Sequence, residues 1–113
     1  MDKKITLVTG ASRGIGQAIA LKLGQLGATV IGTATTESGA LTINQYLEKA
    51  GAKGMGITLN VNDTGQINDT IQTIREKFGE VEILVNNAGV TRDNLLVRMK
   101  DEEWDEIIET DLK

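Results

Sequence analysis

The sequence predicts a doubly wound α/β fold built on a parallel sheet. Short β-branched runs alternate four times with apolar stripes of helical period. The strand-like runs begin about 25 residues apart, and glycines stand where helical stripes end. Helical crossovers imply parallel neighbours, and right-handed connections place helices on both faces of the sheet. The expected strand order is 3-2-1-4.

The elements follow in order. "ITLVT" (Ile5–Thr9) is nearly continuous in apolar and β-branched residues, as for a strand covered on both faces. Ile15, Ile19, Leu23 and Leu26 recur at helical spacing, and Gly27 closes that helix. "TVIGT" (Thr29–Thr33) is the second strand. Ala40, Ile43, Leu47 and Ala50 mark the second helix, closed by Gly51. "GMGITLN" (Gly54–Asn60) is the third strand. Ile67, Ile71, Ile74 and Phe78 mark the third helix, which Gly79 stops. "EILVNN" (Glu82–Asn87) is the fourth strand. Trp104, Ile107, Ile108 and Leu112 predict the start of a fourth helix, with Asp101, Glu102 and Glu103 suited to its first turn.

Composition narrows the chemistry. The chain has 113 residues, 40% hydrophobic and 25% charged, which suits one globular domain. A net charge of −4 without a long basic run argues against nucleic acid as a partner. There is no Cys and no His, which removes disulfides, thiolate nucleophiles, imidazole bases and the usual zinc ligands, so no metal is expected. "MDKKITLVTG" enters a strand directly, and no run reaches membrane-spanning length. The expected location is cytoplasmic, with no membrane partner.

Between the first strand and the first helix lies "TGASRGIG", with Gly10, Gly14 and Gly16 spaced by four and then two. A helix N-terminus offers free N–H groups and partial positive charge to a phosphate. Glycines permit the tight turn, the approach of backbone to a ligand, and close packing of helix on strand. The alternative is a strand–helix turn with no ligand. The strand before, the helix after and the surrounding βαβ period favour a dinucleotide.

The end of strand 2 helps to select the cofactor. An NAD site usually places an acid there, but "IGTATTE" offers Gly32, Thr33, Ala34 and Thr35 before Glu37. Arg13 sits inside the glycine turn, where a guanidinium can pair with a 2′-phosphate. An ordinary solvated arginine is the other reading of Arg13. The balance favours NADP(H).

The T-G-x-x-x-G-x-G spacing resembles that of the short-chain dehydrogenase/reductase family, and "NNAG" (Asn86–Gly89), about 75 residues on, matches a second family motif. The resemblance implies a Rossmann-like fold and a cofactor site assembled from Gly10, Ser12, Arg13, Gly14, Ile15, Gly16, Thr35, Asn60, Val61, Asn87, Ala88 and Gly89. In NADP-preferring members a basic residue in the turn and a hydroxyl after strand 2 take the 2′-phosphate. Arg13 and Thr35, with Ser12, match those positions. Asn60 and Val61 match an adenine-contacting pair, many relatives having Asp where Asn60 stands. Asn87, Ala88 and Gly89 match the segment beside the cofactor ribose, with Asn86 tying strand 4 to its neighbours.

"EVEILVNNAGVTRDNLLVRMKDEEWDEIIETDL" is similar to bacterial members of the family that act on acyl groups held by acyl carrier protein. The implied reaction is NADPH-dependent reduction of a 3-oxoacyl thioester to its 3-hydroxyacyl form in fatty-acid biosynthesis, by a homotetramer. Arg92, Arg98 and Lys100 could face an acidic carrier, or be solvated charges. Another dehydrogenase of the family, of acetoacetyl-CoA reductase type, and a non-catalytic NADP-binding module are the alternatives.

Family members donate the proton from a Tyr with a Lys four residues later, helped by a Ser and an Asn. The only tyrosine here is Tyr46, and "YLEKA" puts Ala50 where that Lys would stand, so Tyr46 reads as a helix-surface residue. Ser12 and Ser38 are the only serines. Asp111 stands where close relatives have Asn and falls in the stripe of the fourth helix. No catalytic residue is assigned. Residues 1–113 therefore read as the N-terminal, cofactor-binding part of one Rossmann-like domain, truncated in its fourth helix and inactive alone. With strand 4 left as an open apolar edge, marginal stability, weak cofactor binding and self-association are expected.

Overall fold

The computed structural model describes residues 4–60, 63–87, 94–99 and 107–111, the last two segments by backbone alone. The elements run β1 (Ile5–Val8), α1 (Gly14–Gln25), β2 (Thr29–Ala34), α2 (Glu37–Lys49), β3 (Lys53–Thr58), α3 (Thr64–Lys77), β4 (Ile83–Asn86), β5 (Asn94–Met99) and β6 (Ile107–Asp111). They form one sheet in the order β3-β2-β1-β4-β5-β6. The expected 3-2-1-4 core is present, and its four strands are parallel.

Alternation along the strands divides the core between the two faces of the sheet. Val8, Val30, Ile83 and Val85 pack with Ala20 of α1 and Ile43 and Leu47 of α2. Ile5, Leu7 and Ile31 pack on the opposite side with Ile74 of α3. Every residue of β1 and β2 is buried, in keeping with continuous apolar runs covered by helices on both sides.

The helices begin and end where local chemistry dictates. Thr36 caps α2 by accepting a hydrogen bond from the Gly39 N–H at 3.1 Å, and Asp63 caps α3 through the Gln66 N–H at 3.1 Å. The buried face of α1 differs from the predicted stripe. Gly16 and Ala20 are its buried residues, Ile19 and Leu23 are half-buried, and Ile15 and Leu26 are 43% and 49% exposed. Small residues let α1 settle closely on the sheet, and that approach turns Ile15 and Leu26 outward. In α2 the stripe holds through Ala40, Ile43 and Leu47, while Ala50 is exposed at the helix end. In α3 Ile74 is fully buried, but Phe78 is 36% exposed.

The fourth helix is a correction. Ile107–Asp111, expected within a helix reaching from Trp104 to Leu112, form β6, antiparallel to β5. The edge of β4 predicted to lie open is paired antiparallel with β5 through Ile83–Met99 to Asn86–Leu96. Adjacent β-branched Ile107 and Ile108 suit a strand, and the added pairing satisfies backbone groups that an edge would leave exposed. Self-association through an open β4 edge therefore loses its basis. Asp111 sits opposite Asn94 in this ladder rather than on a helix. Trp104 and Leu112 lie outside the described residues, as do Arg92 and Lys100.

Candidate cofactor site

Because β1 to β4 are parallel, their carboxyl ends emerge on one side of the sheet. β1 and β4 bring Thr9 and Gly10 beside Asn86 and Asn87, and β2 brings Thr33 and Ala34 beside them. β3 brings Leu59, whose N–H donates to the Ala34 carbonyl at 2.8 Å. In an open α/β sheet, ligands bind beyond these ends.

Thr9 is the hub on the β4 side. Its N–H donates to the Val85 carbonyl at 3.0 Å, and its Oγ1 donates to Asn86 Oδ1 at 3.2 Å. The same Oγ1 accepts from the Asn87 N–H at 3.0 Å. Asn87 Nδ2 then donates to the Gly10 carbonyl at 3.1 Å. On the β2 side, Thr33 Oγ1 accepts from the Gly10 N–H at 3.3 Å, and the Thr33 carbonyl accepts from the Ala11 N–H at 2.8 Å. Gly10 is thus gripped from both neighbouring strands.

The glycines of the turn do different work. Gly10 and Gly14 have φ of +63° and +60°, which L side chains rarely adopt. Around the Cβ position of Gly14 there is open space to 4 Å. Gly16 has no such room. A Cβ there would overlap the Gly10 carbonyl oxygen and lie 2.8 Å from Asn87 Nδ2. Glycine at 16 lets the first turn of α1 rest against the end of β1.

The helix N-terminus created here is electropositive and bare. Arg13 occupies the N-cap with an extended backbone and makes no side-chain cap hydrogen bond, and no acid lies in the first turn. The leading N–H groups of a helix have no intrahelical acceptors. Arg13 and Gly14 are exposed, and Ser12 is half-buried. Donors in that number beside one guanidinium, with no carboxylate in the same helical turn, suit a phosphate.

A known family carries this glycine turn and the asparagine pair Asn86–Asn87 at the end of β4 within its matched span. The family model for short chain dehydrogenase matches residues 4–113. The chain belongs to the short chain dehydrogenase family. It is 64% identical over 111 residues to the 3-oxoacyl-[acyl-carrier-protein] reductase FabG of Escherichia coli, covering 98% of this chain and 44% of that one. The enzyme of the same name from Vibrio harveyi is 59% identical over 112 residues, covering 99% of this chain and 45% of that one. That from Pseudomonas aeruginosa is 56% identical over the same coverage. The chain spans less than half the length of these curated relatives.

Within this short chain dehydrogenase, the structure brings Gly10, Ser12, Arg13, Gly14, Ile15 and Gly16 together at the start of α1. Thr35 is exposed just past β2, on the side of the sheet that carries the turn. Asn60 is exposed past β3, its N–H held by Gln66 Oε1 at 3.0 Å and its carbonyl accepting from the Asp63 N–H at 3.0 Å. Val61, Ala88 and Gly89 lie outside the described residues. Asn87 is a brace of the turn as well as Asn86, whereas the sequence reading gave that role to Asn86 alone. Among the described residues no group of three or more His, Cys, Asp or Glu could hold a metal ion, and no helix is long and apolar enough to cross a membrane.

Three contributors were missed. Thr9 and Thr33 are buried threonines at strand ends whose hydroxyls hold the turn. The third is Tyr46, which is no surface residue. It packs half-buried against the core beside α1 and β2, and its hydroxyl donates to the Ala11 carbonyl at 2.6 Å. Burial pushes its phenol up to about 12. The signal available in the sequence was its place three residues after Ile43, on the buried stripe of α2.

Proposed function

We propose that this chain is the cofactor-binding portion of an NADPH-dependent 3-oxoacyl-[acyl-carrier-protein] reductase. The observation that carries the reading is the bare helix N-terminus behind Gly10, gripped from two strands and bordered by Arg13. The N–H groups of the first turn of α1 would hold the pyrophosphate. Arg13, with Ser12 and Thr35, would take the 2′-phosphate, which is why NADP(H) is preferred to NAD(H). Asn60 would border the adenine. The names of the relatives support 3-oxoacyl groups on acyl carrier protein as the substrate class. A homotetrameric assembly and a cytoplasmic setting belong to the same proposal and rest on family resemblance.

When bound, NADPH supplies the hydride for the substrate's carbonyl carbon, leaving NADP⁺. The carbonyl oxygen also needs a proton. Tyr46 is unsuited to give it, because its O–H is committed to the Ala11 carbonyl and its acidity is lowered by burial. No catalytic role is therefore given to it, and this chain alone is expected to bind cofactor without turnover. The same commitment favours, for the isolated chain, a module that binds NADP(H) without catalysing reduction.

The test is a fluorescence titration of the chain and of Arg13→Ala with NADPH and NADH. Tighter binding of NADPH, lost in Arg13→Ala, supports the reading. Equal binding of both cofactors by the wild-type chain overturns the 2′-phosphate assignment. Reduction of an acetoacetyl thioester by the chain alone overturns the division between cofactor binding and proton donation.

A further inference from the structure

Helix α2 meets the glycine turn at two places on one face. Near its N-terminus, a Cβ on Gly39 would come within 3.3 Å of Ser12 Cβ and 2.6 Å of Ala34 Cβ, so only glycine lets the helix lie this close. Seven residues later, two helical turns along, the Tyr46 hydroxyl donates to the Ala11 carbonyl at 2.6 Å. Ala40 and Ile43, between them in sequence, are buried.

The Ala11 peptide is consequently held from both sides. Its N–H is taken by the Thr33 carbonyl at 2.8 Å and its carbonyl by Tyr46. A trans peptide is planar, so the Ala11 carbonyl and the Ser12 N–H point in opposite directions. Drawing the carbonyl towards Tyr46 aims the Ser12 N–H away from it and sets the direction in which the chain leaves for Arg13. The Arg13 side chain is exposed and makes no cap bond, and its backbone is held between this upstream peptide and α1, where its carbonyl accepts from the Gln17 N–H at 3.3 Å.

We propose that Tyr46 is a positioning residue for cofactor choice, holding the Ala11–Ser12 peptide so that Ser12 and Arg13 stand at the spacing from α2 and Thr35 that a 2′-phosphorylated adenosine requires. This rests on the 2′-phosphate reading of Arg13 above. Burial keeps the phenol protonated through the physiological range, so the donor is permanent. A cofactor lacking the 2′-phosphate depends on the N–H groups of α1, which Gly10, Asn87 and Thr33 support without Tyr46.

The test is the ratio of NADPH to NADH affinity, measured by nicotinamide fluorescence on the full chain. Tyr46→Phe removes the hydroxyl and keeps the ring. It is expected to weaken NADPH binding about fivefold, the loss of one ordinary hydrogen bond, while changing NADH binding less than twofold. Gly39→Ala, which wedges α2 from Ser12 and Ala34 at the other contact, is expected to lower the ratio in the same direction. A purely structural brace would lower the melting temperature and weaken both cofactors alike. An unchanged ratio in whichever of the two variants retains wild-type far-UV circular dichroism overturns the proposal. Arg13→Ala separates it from the reading beneath it. If that variant keeps the NADPH preference, the 2′-phosphate assignment fails. If it loses the preference while Tyr46→Phe keeps it, the role of Tyr46 alone fails.

Discussion

Gly16→Ala is the most direct probe of how the turn is built. The new methyl would overlap the Gly10 carbonyl oxygen, with Asn87 Nδ2 at 2.8 Å and the Gly10 carbonyl carbon at 2.9 Å. Ordinary contact begins near 3.4 Å and the overlap with the Gly10 oxygen is the worst of the three, so α1 must retreat by about an ångström or more, and Asn87 must shift or release Gly10. Gly10 cannot give way easily, because Thr33 holds its N–H and Asn87 its carbonyl. Overpacking of this kind costs about 1–3 kcal/mol, and loss of the Asn87 bond adds about 1 kcal/mol. Replacing a helical glycine by alanine returns about 1 kcal/mol. The net expectation is a loss of about 1–3 kcal/mol, or roughly 4–12 °C in melting temperature for a chain of this size. NADPH affinity should fall about tenfold or more, because the displaced amides are those proposed to hold the pyrophosphate. Gly14→Ala is the matched control. Its Cβ meets open space, so its cost is limited to about 1–2 kcal/mol for a positive φ. Thermal denaturation and NADPH titration of both variants decide the matter. A Gly16→Ala chain that melts and binds like wild type would refute the close-packing argument.

Thr9→Val keeps the shape of a buried side chain but removes the acceptor of the Asn87 N–H and the donor to Asn86. Urea denaturation should show a loss of about 2–3 kcal/mol. Thr36→Ala deletes the α2 cap and should cost about 1 kcal/mol, with an unchanged denaturant slope. The phenol of Tyr46 is pushed above its ordinary value by burial, so the folded state keeps the proton that the unfolded state releases near pH 10. Its stabilisation is complete below that pH and falls as pH rises towards 12, by up to about 2–3 kcal/mol. The stability difference between wild type and Tyr46→Phe should therefore shrink across that interval and stay constant between pH 6 and 9. A difference that grows with pH would contradict the desolvation argument.

The parts of the fold legible in the sequence are those set by local period and by glycine. β1 to β4 and α1 to α3 stand where β-branched runs and apolar stripes place them, and Gly27, Gly51 and Gly79 follow the helix ends with positive φ. The turn was legible for the same reason, because backbone conformation and close approach restrict the residue type. The buried face of α1 was not legible from hydrophobicity. Contact distance, rather than apolar area, selected Gly16 and Ala20, and larger Ile15 was left facing out. β6 was missed because Ile107 and Ile108 satisfy a helical stripe and a strand equally, and pairing with β5 decided between them.

Polar bracing was the least legible layer of the site. Nothing in the period of Thr9 or Thr33 distinguishes a strand-end hydroxyl that braces the turn, Thr33 through Gly10 and Thr9 through Asn86 and Asn87, from one that merely tolerates burial. The distinction depends on partners 77 and 23 residues away in the chain. Tyr46 is the sharper case. Testing it against the motif of a proton donor finds Ala50 where a lysine would be needed. The wrong inference was that a tyrosine without that role must lie on the surface. A phenol on the buried stripe of α2 needs a hydrogen-bond partner, because an unpaired buried hydroxyl is costly. The acceptor it found is the carbonyl of Ala11, whose own side chain is fully buried. In this chain that single hydroxyl ties the second helix to the glycine turn.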